Sequence, residues 1–186
     1  RLFEDAAVEG VELTGGRATG LRVGGEIRRA ALIVGADGLE SPVRRALGLD
    51  APARGPTRLG VRMHFRQAAG HPSSDRLEIF VGRGHELYVA QLPDNEVLVA
   101  GLADPETVAG SARTALHRWI ADEPFLGELL DGATPLTAPA GRARVERRAL
   151  AGIAPGAVLL GDAPRASDPL TAGGIAHALA TAERLA

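Results

Sequence analysis

Leu32-Ile33-Val34-Gly35-Ala36-Asp37-Gly38 and Val158-Leu159-Leu160-Gly161-Asp162-Ala163 share one pattern, an apolar run that ends in a glycine and an aspartate. A continuous apolar run, Ala30 to Val34 in the first case and Ala157 to Leu160 in the second, suits a strand buried on both faces of a parallel sheet. Beyond each aspartate the chain reads as entering a helix. After Asp37-Gly38, Ser41 stands as N-cap with Pro42 in the first helical position, and Val43 to Leu47 form a short helix closed by Gly48. After Asp162, Gly173 and Gly174 precede Ile175, Leu179, Ala182 and Leu185 at helical spacing. In an open α/β sheet the carboxyl ends of the strands are where ligands bind. A carboxylate there can accept from a sugar or ribityl hydroxyl, and a glycine-rich helix start offers amides to phosphate or to an anionic ring. Asp-Gly and Gly-Asp also serve as ordinary turns, so each segment alone leaves both readings open.

Outward from these segments the chain changes character twice. Ala7 to Leu13, Ala18 to Val23 and Glu26 to Arg29 are short alternating runs separated by Gly15-Gly16 and Gly24-Gly25, which predicts a three-stranded antiparallel meander. Residues 50–57 hold two prolines and a glycine, as a linker does. Arg58 to Phe65, Arg76 to Val81, His85 to Leu92 and Glu96 to Leu102 then read as an antiparallel sheet. A helix over Ser111 to Asp131 comes next, with Leu116, Ile120, Leu126, Leu129 and Leu130 on one stripe and a break at Pro124. Arg142 to Ala149 alternates as one more strand before the second apolar run. The expected organisation is therefore a parallel-type core over 1–50, an antiparallel sheet with its helix over 51–150, and a return to the core over 151–186.

Composition narrows the chemistry. The 186 residues are enough to bury roughly 70% of the extended-chain surface. There is no cysteine, hence no disulfide, thiolate metal site or thiol nucleophile within this stretch, and no lysine, hence no Schiff base. A net charge of −2 without long like-charge runs, and six aromatic residues, give neither the electrostatic nor the stacking surface for nucleic acid. No apolar run approaches the ~18 residues of a transmembrane helix. The five histidines, 64, 71, 85, 117 and 177, lack metal-ligand spacing, and no metal site is expected. Arg62 and His64 fall on one face of a strand, Tyr88 lies on another strand, and Arg142, Arg144, Arg147 and Arg148 cluster around Glu146 as an anion patch or a solvated strand face.

Together, Gly35 to Gly48 and Gly161 to Ile175 resemble the second and third FAD motifs of the aromatic-hydroxylase superfamily, which includes flavin monooxygenases, geranylgeranyl-reductase-like enzymes and flavin halogenases. Both motifs in this order, framing an antiparallel sheet, are far more specific than either alone. The resemblance implies a mixed α/β fold in which a Rossmann-like FAD-binding domain, residues 1–50 and 151–186, is interrupted by a substrate domain, residues 51–150. It implies that Asp162 hydrogen-bonds the ribityl chain of FAD, that Pro169 lies beside the reactive edge of the ring, and that Gly173, Gly174 and Ile175 give amides to its pyrimidine edge. Asp37 with Arg44 would support the pyrophosphate and the approach of NAD(P)H, and Gly38, Gly161 and Ala172 complete the cofactor set. It implies further that this sheet faces the substrate, which makes Arg62, His64 and Tyr88 candidates for lining its pocket, with a solvated face the favoured alternative for Arg62.

The activity implied is an NAD(P)H-reduced, FAD-dependent oxidoreductase that hydroxylates or epoxidises an organic or lipid-like small molecule, or reduces a carbon–carbon double bond. Its setting would be cytoplasmic, with peripheral membrane contact if the substrate is isoprenoid. No catalytic acid or base stands out. The superfamily's first motif, Gly-x-Gly-x-x-Gly after a strand, is absent from these residues, as expected for the middle of a longer protein. Pro164-Arg165 stands where hydroxylases show Ala-His. Asp168-Pro169-Leu170-Thr171 is closer to the reductase-like and halogenase branches, and with Trp119 the only tryptophan the halogenase motif is missing. The alternative from another class is a flavin-fold binding module without catalysis, or a fragment unable to bind FAD alone.

Overall fold

A computed structural model describes residues 1–52, 58–68, 74–143, 145–166 and 173–186. It divides into two compact units, residues 1–54 with 146–186, and residues 55–145.

In the first unit the meander is present as β1 (Val8–Thr14), β2 (Arg17–Val23) and β3 (Glu26–Arg29), antiparallel throughout. Left-handed glycines at Gly15, Gly16, Gly24 and Gly25 make its two turns, conformations that only glycine adopts at little cost. The first apolar run forms β4 (Ile33–Gly35), leading into helix α1 (Pro42–Ala46). Two predicted features of α1 are explicit: Ser41 Oγ accepts from the Arg44 amide at 2.9 Å, and Gly48 takes a φ of 66° just after the helix. The second run forms β13 (Ala157–Leu159), which pairs parallel with β4, Leu159 opposite Gly35, and antiparallel with β12 (Ile153–Ala154).

The expectation of two covered faces holds for one only. Ile33 and Leu159 are buried with Ala18, Val43, Ala157 and Ala163, whereas Leu32 and Val34 are 47% and 43% exposed. Period-two burial of β4 is therefore that of a strand packed on a single side among the described residues. Gly35 permits the packing on that side, since a Cβ there would lie 2.8 Å from Leu159 Cδ2 and 3.0 Å from Val43 Cβ.

The second unit is an antiparallel sheet of β5 (Leu59–Arg66), β6 (Leu77–Val81), β7 (His85–Leu92), β8 (Glu96–Ala103) and β10 (Ala140–Ala143), in the order β10-β5-β8-β7-β6, with β9 (Thr134–Pro135) also pairing β5. The helical stretch is broken as predicted into α2 (Ala112–Asp122) and α3 (Pro124–Leu129), because Pro124 has no amide to continue the ladder. One face of the sheet, Val61, Met63, Phe65, Leu87, Val89, Val97 and Val99, packs against Ala115, Leu116, Trp119, Leu126 and Leu129. Trp119 lies over Gly101, where a Cβ would come within 3.0 Å of the indole, and stacks on His85 with ring centroids 4.8 Å apart.

The single strand expected over Arg142 to Ala149 is two strands in different sheets. Residues up to Ala143 belong to β10, and Arg147–Arg148 form β11, which pairs with β14 (Arg165–Ala166) in the first unit. Alternation reports which way side chains face, not which partner a strand takes. The arginine cluster is accordingly divided: Arg142 lies in the second unit, Arg147 pairs with Glu40 at 3.2 Å in the first, and Arg144 lies outside the described residues.

Candidate functional site

The parallel pairing of β4 with β13 brings both aspartate turns to one sheet edge. Leu160 continues the ladder by donating to the Gly35 carbonyl at 2.8 Å, so Asp37 and Asp162 leave adjacent strands from their carboxyl ends. Gly38 and Gly161 turn the chain there with φ of 74° and 59°.

The two turns are built differently. On the first, the short helix α1 is already capped by its own chain. Asp37 Oδ2 accepts from the Val43 amide at 2.9 Å, Ser41 Oγ takes the Arg44 amide, and Pro42 has none to offer. Asp37 is exposed, and Gly38 has open space where a Cβ would stand.

On the second turn, α4 (Gly174–Glu183) begins at Gly173 with no side-chain cap. Its first internal bond runs from the His177 amide to the Gly173 carbonyl at 2.9 Å, which leaves the amides of Gly174, Ile175 and Ala176 without an acceptor among the described residues. Exposed Asp162 stands beside this start: its Oδ1 is 3.8 Å from where a Cβ on Gly174 would be.

Arg44 does not reach outward. It is 1% exposed, and its guanidinium is held by its own chain: Nε donates to Asp50 Oδ1 at 2.6 Å, Nη1 to the Ala163 carbonyl at 2.7 Å and Nη2 to the Leu39 carbonyl at 2.8 Å. It works as a clamp between the two turns, where the motif resemblance had it near a ligand. A buried guanidinium is tolerable only when its planar donors are matched in this way.

Thr181 was not legible as a site residue. Its Oγ1 accepts from the Gly161 amide at 3.2 Å and lies 2.9 Å from the His177 carbonyl, pinning α4 to the turn. Gly161 permits that approach, since a Cβ there would lie 3.2 Å from Ala178 Cβ. Pro169 and Ala172 lie outside the described residues. Asp37, Gly38, Gly161, Asp162, Gly173, Gly174 and Ile175 all lie in the first unit.

In the second unit, the sheet face opposite the helices carries Arg62 and His64 in one line of β5. Arg62 Nη1 is 2.9 Å from His64 Nε2, and His64 Nδ1 is bonded to the Glu96 carboxylate. An arginine can only donate, so Nε2 is the acceptor, and Nδ1 carries the proton given to Glu96. Among the described residues no helix is long and apolar enough to cross a membrane.

No protein-family model matches the chain. In sequence it is 32% identical, over 81% of its length, to a digeranylgeranylglycerophospholipid reductase of Methanothrix thermoacetophila, and it spans 38% of that protein. Its fold matches a flavoprotein/dehydrogenase of Cytophaga hutchinsonii with a TM-score of 0.80 at 20% identity, covering 95% of this chain and 46% of the other. It also matches a myxobacterial chondrochloren halogenase, described as FAD-dependent, with a TM-score of 0.78 at 21% identity, covering 92% of this chain and 43% of the other. The chain thus spans less than half the length of each of these proteins.

Proposed function

We propose that this chain, which belongs to the flavoprotein superfamily containing the geranylgeranyl-reductase-like enzymes, supplies part of the FAD site of an oxidoreductase, together with the sheet that receives a lipid-like substrate. The observation that carries the reading is the meeting of the two aspartate turns on adjacent parallel strands, beside a ten-residue helix whose first amides are uncapped.

The donor set fits the cofactor. Asp162 offers an exposed carboxylate to the ribityl hydroxyls, and Gly173, Gly174 and Ile175 present backbone N–H groups and the positive end of α4 to negative charge at the pyrimidine edge. No side chain need be cleared, because glycines occupy the positions of closest approach. Asp37 organises the first turn by capping α1, and Arg44 holds that turn against the second. Pro169, proposed beside the reactive edge of the ring, and Ala172 belong to the same proposed cofactor set. When bound, FAD reduced by NAD(P)H supplies the hydride or oxygen chemistry that a chain without cysteine or lysine has no side chain to replace.

Sequence relation to a reductase favours reduction of a carbon–carbon double bond over oxygen insertion. The outer face of the second unit's sheet suits an apolar body: Ala90, Leu98 and Ala100 lie on it, with exposed Leu77, Ile79 and Val81 at one edge.

Replacing Asp162 with Ala is expected to weaken flavin binding at least about tenfold, as loss of a charge-assisted hydrogen bond does, read from flavin absorbance per mole of protein across a flavin titration, with circular dichroism unchanged. Unaltered occupancy would refute the assignment. Oxygen uptake during NADPH oxidation with substrate separates the chemistries: uptake matched to product means monooxygenation, and its absence means reduction.

A further inference from the structure

The sheet of the second unit ends at β6, which among the described residues pairs only with β7. The register between them runs unbroken from Leu77 opposite Ala90 to Val81 opposite Glu86. Neither a bulge nor a proline blunts this edge. The hairpin shows which backbone groups are left over. Gly82 donates to the His85 carbonyl at 2.9 Å, so these two residues form a hydrogen-bonded pair. Such pairs alternate along an antiparallel ladder, so Glu78 and Phe80 also bond toward β7, while Leu77, Ile79 and Val81 turn their N–H and C=O groups to the open edge. The side chains of these three are 53%, 47% and 77% exposed.

A two-fold axis normal to the sheet joins two such edges antiparallel and keeps both outer faces on one side. Opposed residues then share a face, and three registers leave most of the strand paired, centred on Glu78, Ile79 or Phe80. Centred on Glu78, two carboxylates oppose each other and Asp75 meets Val81; centred on Phe80, Arg83 meets Leu77. Centred on Ile79, Leu77 meets Val81, Ile79 meets itself, and Asp75 meets Arg83 at both ends. Apolar pairs and opposite charges across strands stabilise, and like charges directly opposed do the reverse, so the register on Ile79 is selected. Asp75 and Arg83 are exposed, and neither has a charged partner among the described residues. On the helix side this register sets half-buried Glu78 opposite Phe80, whose ring lies 5.4 Å from that of Phe125.

We propose that β6 is the contact through which two copies of this chain dimerise, with Ile79 on the two-fold axis and Asp75 of each copy paired with Arg83 of the other. The product is one sheet continuous across both second units, with the two rows of Leu77, Ile79 and Val81 side by side on its outer face. A five-residue edge is at the small end of specific contacts, so the dimer is reversible. Neither flavin nor substrate enters this contact, which goes beyond the function proposed above.

The test is sedimentation velocity of the protein from about 1 to about 500 µM, where a reversible dimer shows as a rise with concentration toward twice the monomer mass. Arg83→Asp brings like charges together at both ends and should weaken the dimer about tenfold, and Asp75→Arg added to it should restore the affinity to within about twofold. Register is read by cross-linking, with no background thiol because the chain has no cysteine. Opposed hydrogen-bonded residues have Cα atoms about 5.5 Å apart, within reach of a disulfide. Ile79→Cys, oxidised with diamide, should therefore run as a linked dimer. Leu77→Cys should fail to link to itself and should link to Val81→Cys when the two proteins are mixed.

A protein monomeric across the whole range overturns the proposal. So does a dimer that Arg83→Asp leaves unchanged, a charge swap that fails to restore association while circular dichroism stays that of the parent, or self-linking of Leu77→Cys as fast as that of Ile79→Cys. Capture of a different polypeptide by Ile79→Cys, or of another segment of the same molecule, overturns it equally. Where the swap loses its circular dichroism, the cross-linking pattern decides.

Discussion

Arg44 Nη1 donates to the Ala163 carbonyl at 2.7 Å across 119 residues of chain, so one buried guanidinium ties the first aspartate turn to the second. Its other donors go to Leu39 and to Asp50, whose side chain is 48% exposed. Arg44→Leu would strand two carbonyls in a dry site, and the expected loss is about 3 kcal/mol of unfolding free energy in urea titration. Arg44→Lys should recover less than half of it, because a point charge cannot serve three divergent acceptors.

The approach of α4 to the second turn depends on an absent side chain. Gly161→Ala forces a methyl to 3.2 Å from Ala178 Cβ at a φ of 59°, for an expected cost of about 1–2 kcal/mol. Thr181→Val removes the bond from the Gly161 amide together with the hydroxyl's own bonds to the His177 and Ala178 carbonyls within α4, and should cost about 1 kcal/mol. Hydrogen exchange would place both losses: the Gly161 amide should exchange faster in Thr181→Val with the meander amides unaffected.

Gly174 allows cofactor binding to be separated from folding. A methyl there meets Asp162 Oδ1 at 3.8 Å, an ordinary contact, and alanine favours a helix by about 0.5–1 kcal/mol relative to glycine. Gly174→Ala should therefore raise or preserve thermal stability while lowering flavin occupancy in the same preparation. Equal occupancy at equal stability would remove the requirement for close backbone approach.

In the second unit Trp119 packs closely over Gly101. Gly101→Ala overfills that contact and should cost about 1–3 kcal/mol, and Trp119→Ala, which empties it and unstacks His85, about 3–5 kcal/mol. Denaturant midpoints followed by circular dichroism would rank the two.

Much of this was readable from residue order. Ser41-Pro42 announced α1, Pro124 the break between α2 and α3, and the paired glycines the meander turns, because each signal is local chemistry. The shared edge of the two aspartate turns was readable as well, from the repeated apolar run. What escaped was long-range. Arg44 looks like a motif residue until its acceptor 119 residues away is seen, and Thr181 sits on an otherwise unremarkable helix. Arg142 to Ala149 alternates without a break although the chain changes sheets within it. Which residues of β6 turn their backbone to the open edge required strand register, which no periodicity reports.

The route the chain takes out of its first unit and back has a kinetic consequence. Leu49 and Leu150 share a 2.8 Å hydrogen bond, Ala51 and Arg148 one of 3.1 Å, and within the second unit Val145 donates to the Arg58 carbonyl at 3.2 Å. Departure and return are thus side by side in both units. The pairing of β13 with β4 must close a loop of more than a hundred residues, an entropic cost that grows with the logarithm of loop length. If the intervening sheet forms first, its two ends already lie together, and the search that remains spans only the short connectors. Refolding should then be sequential, with Trp119 fluorescence recovering before the slower protection of the Leu159 and Leu160 amides.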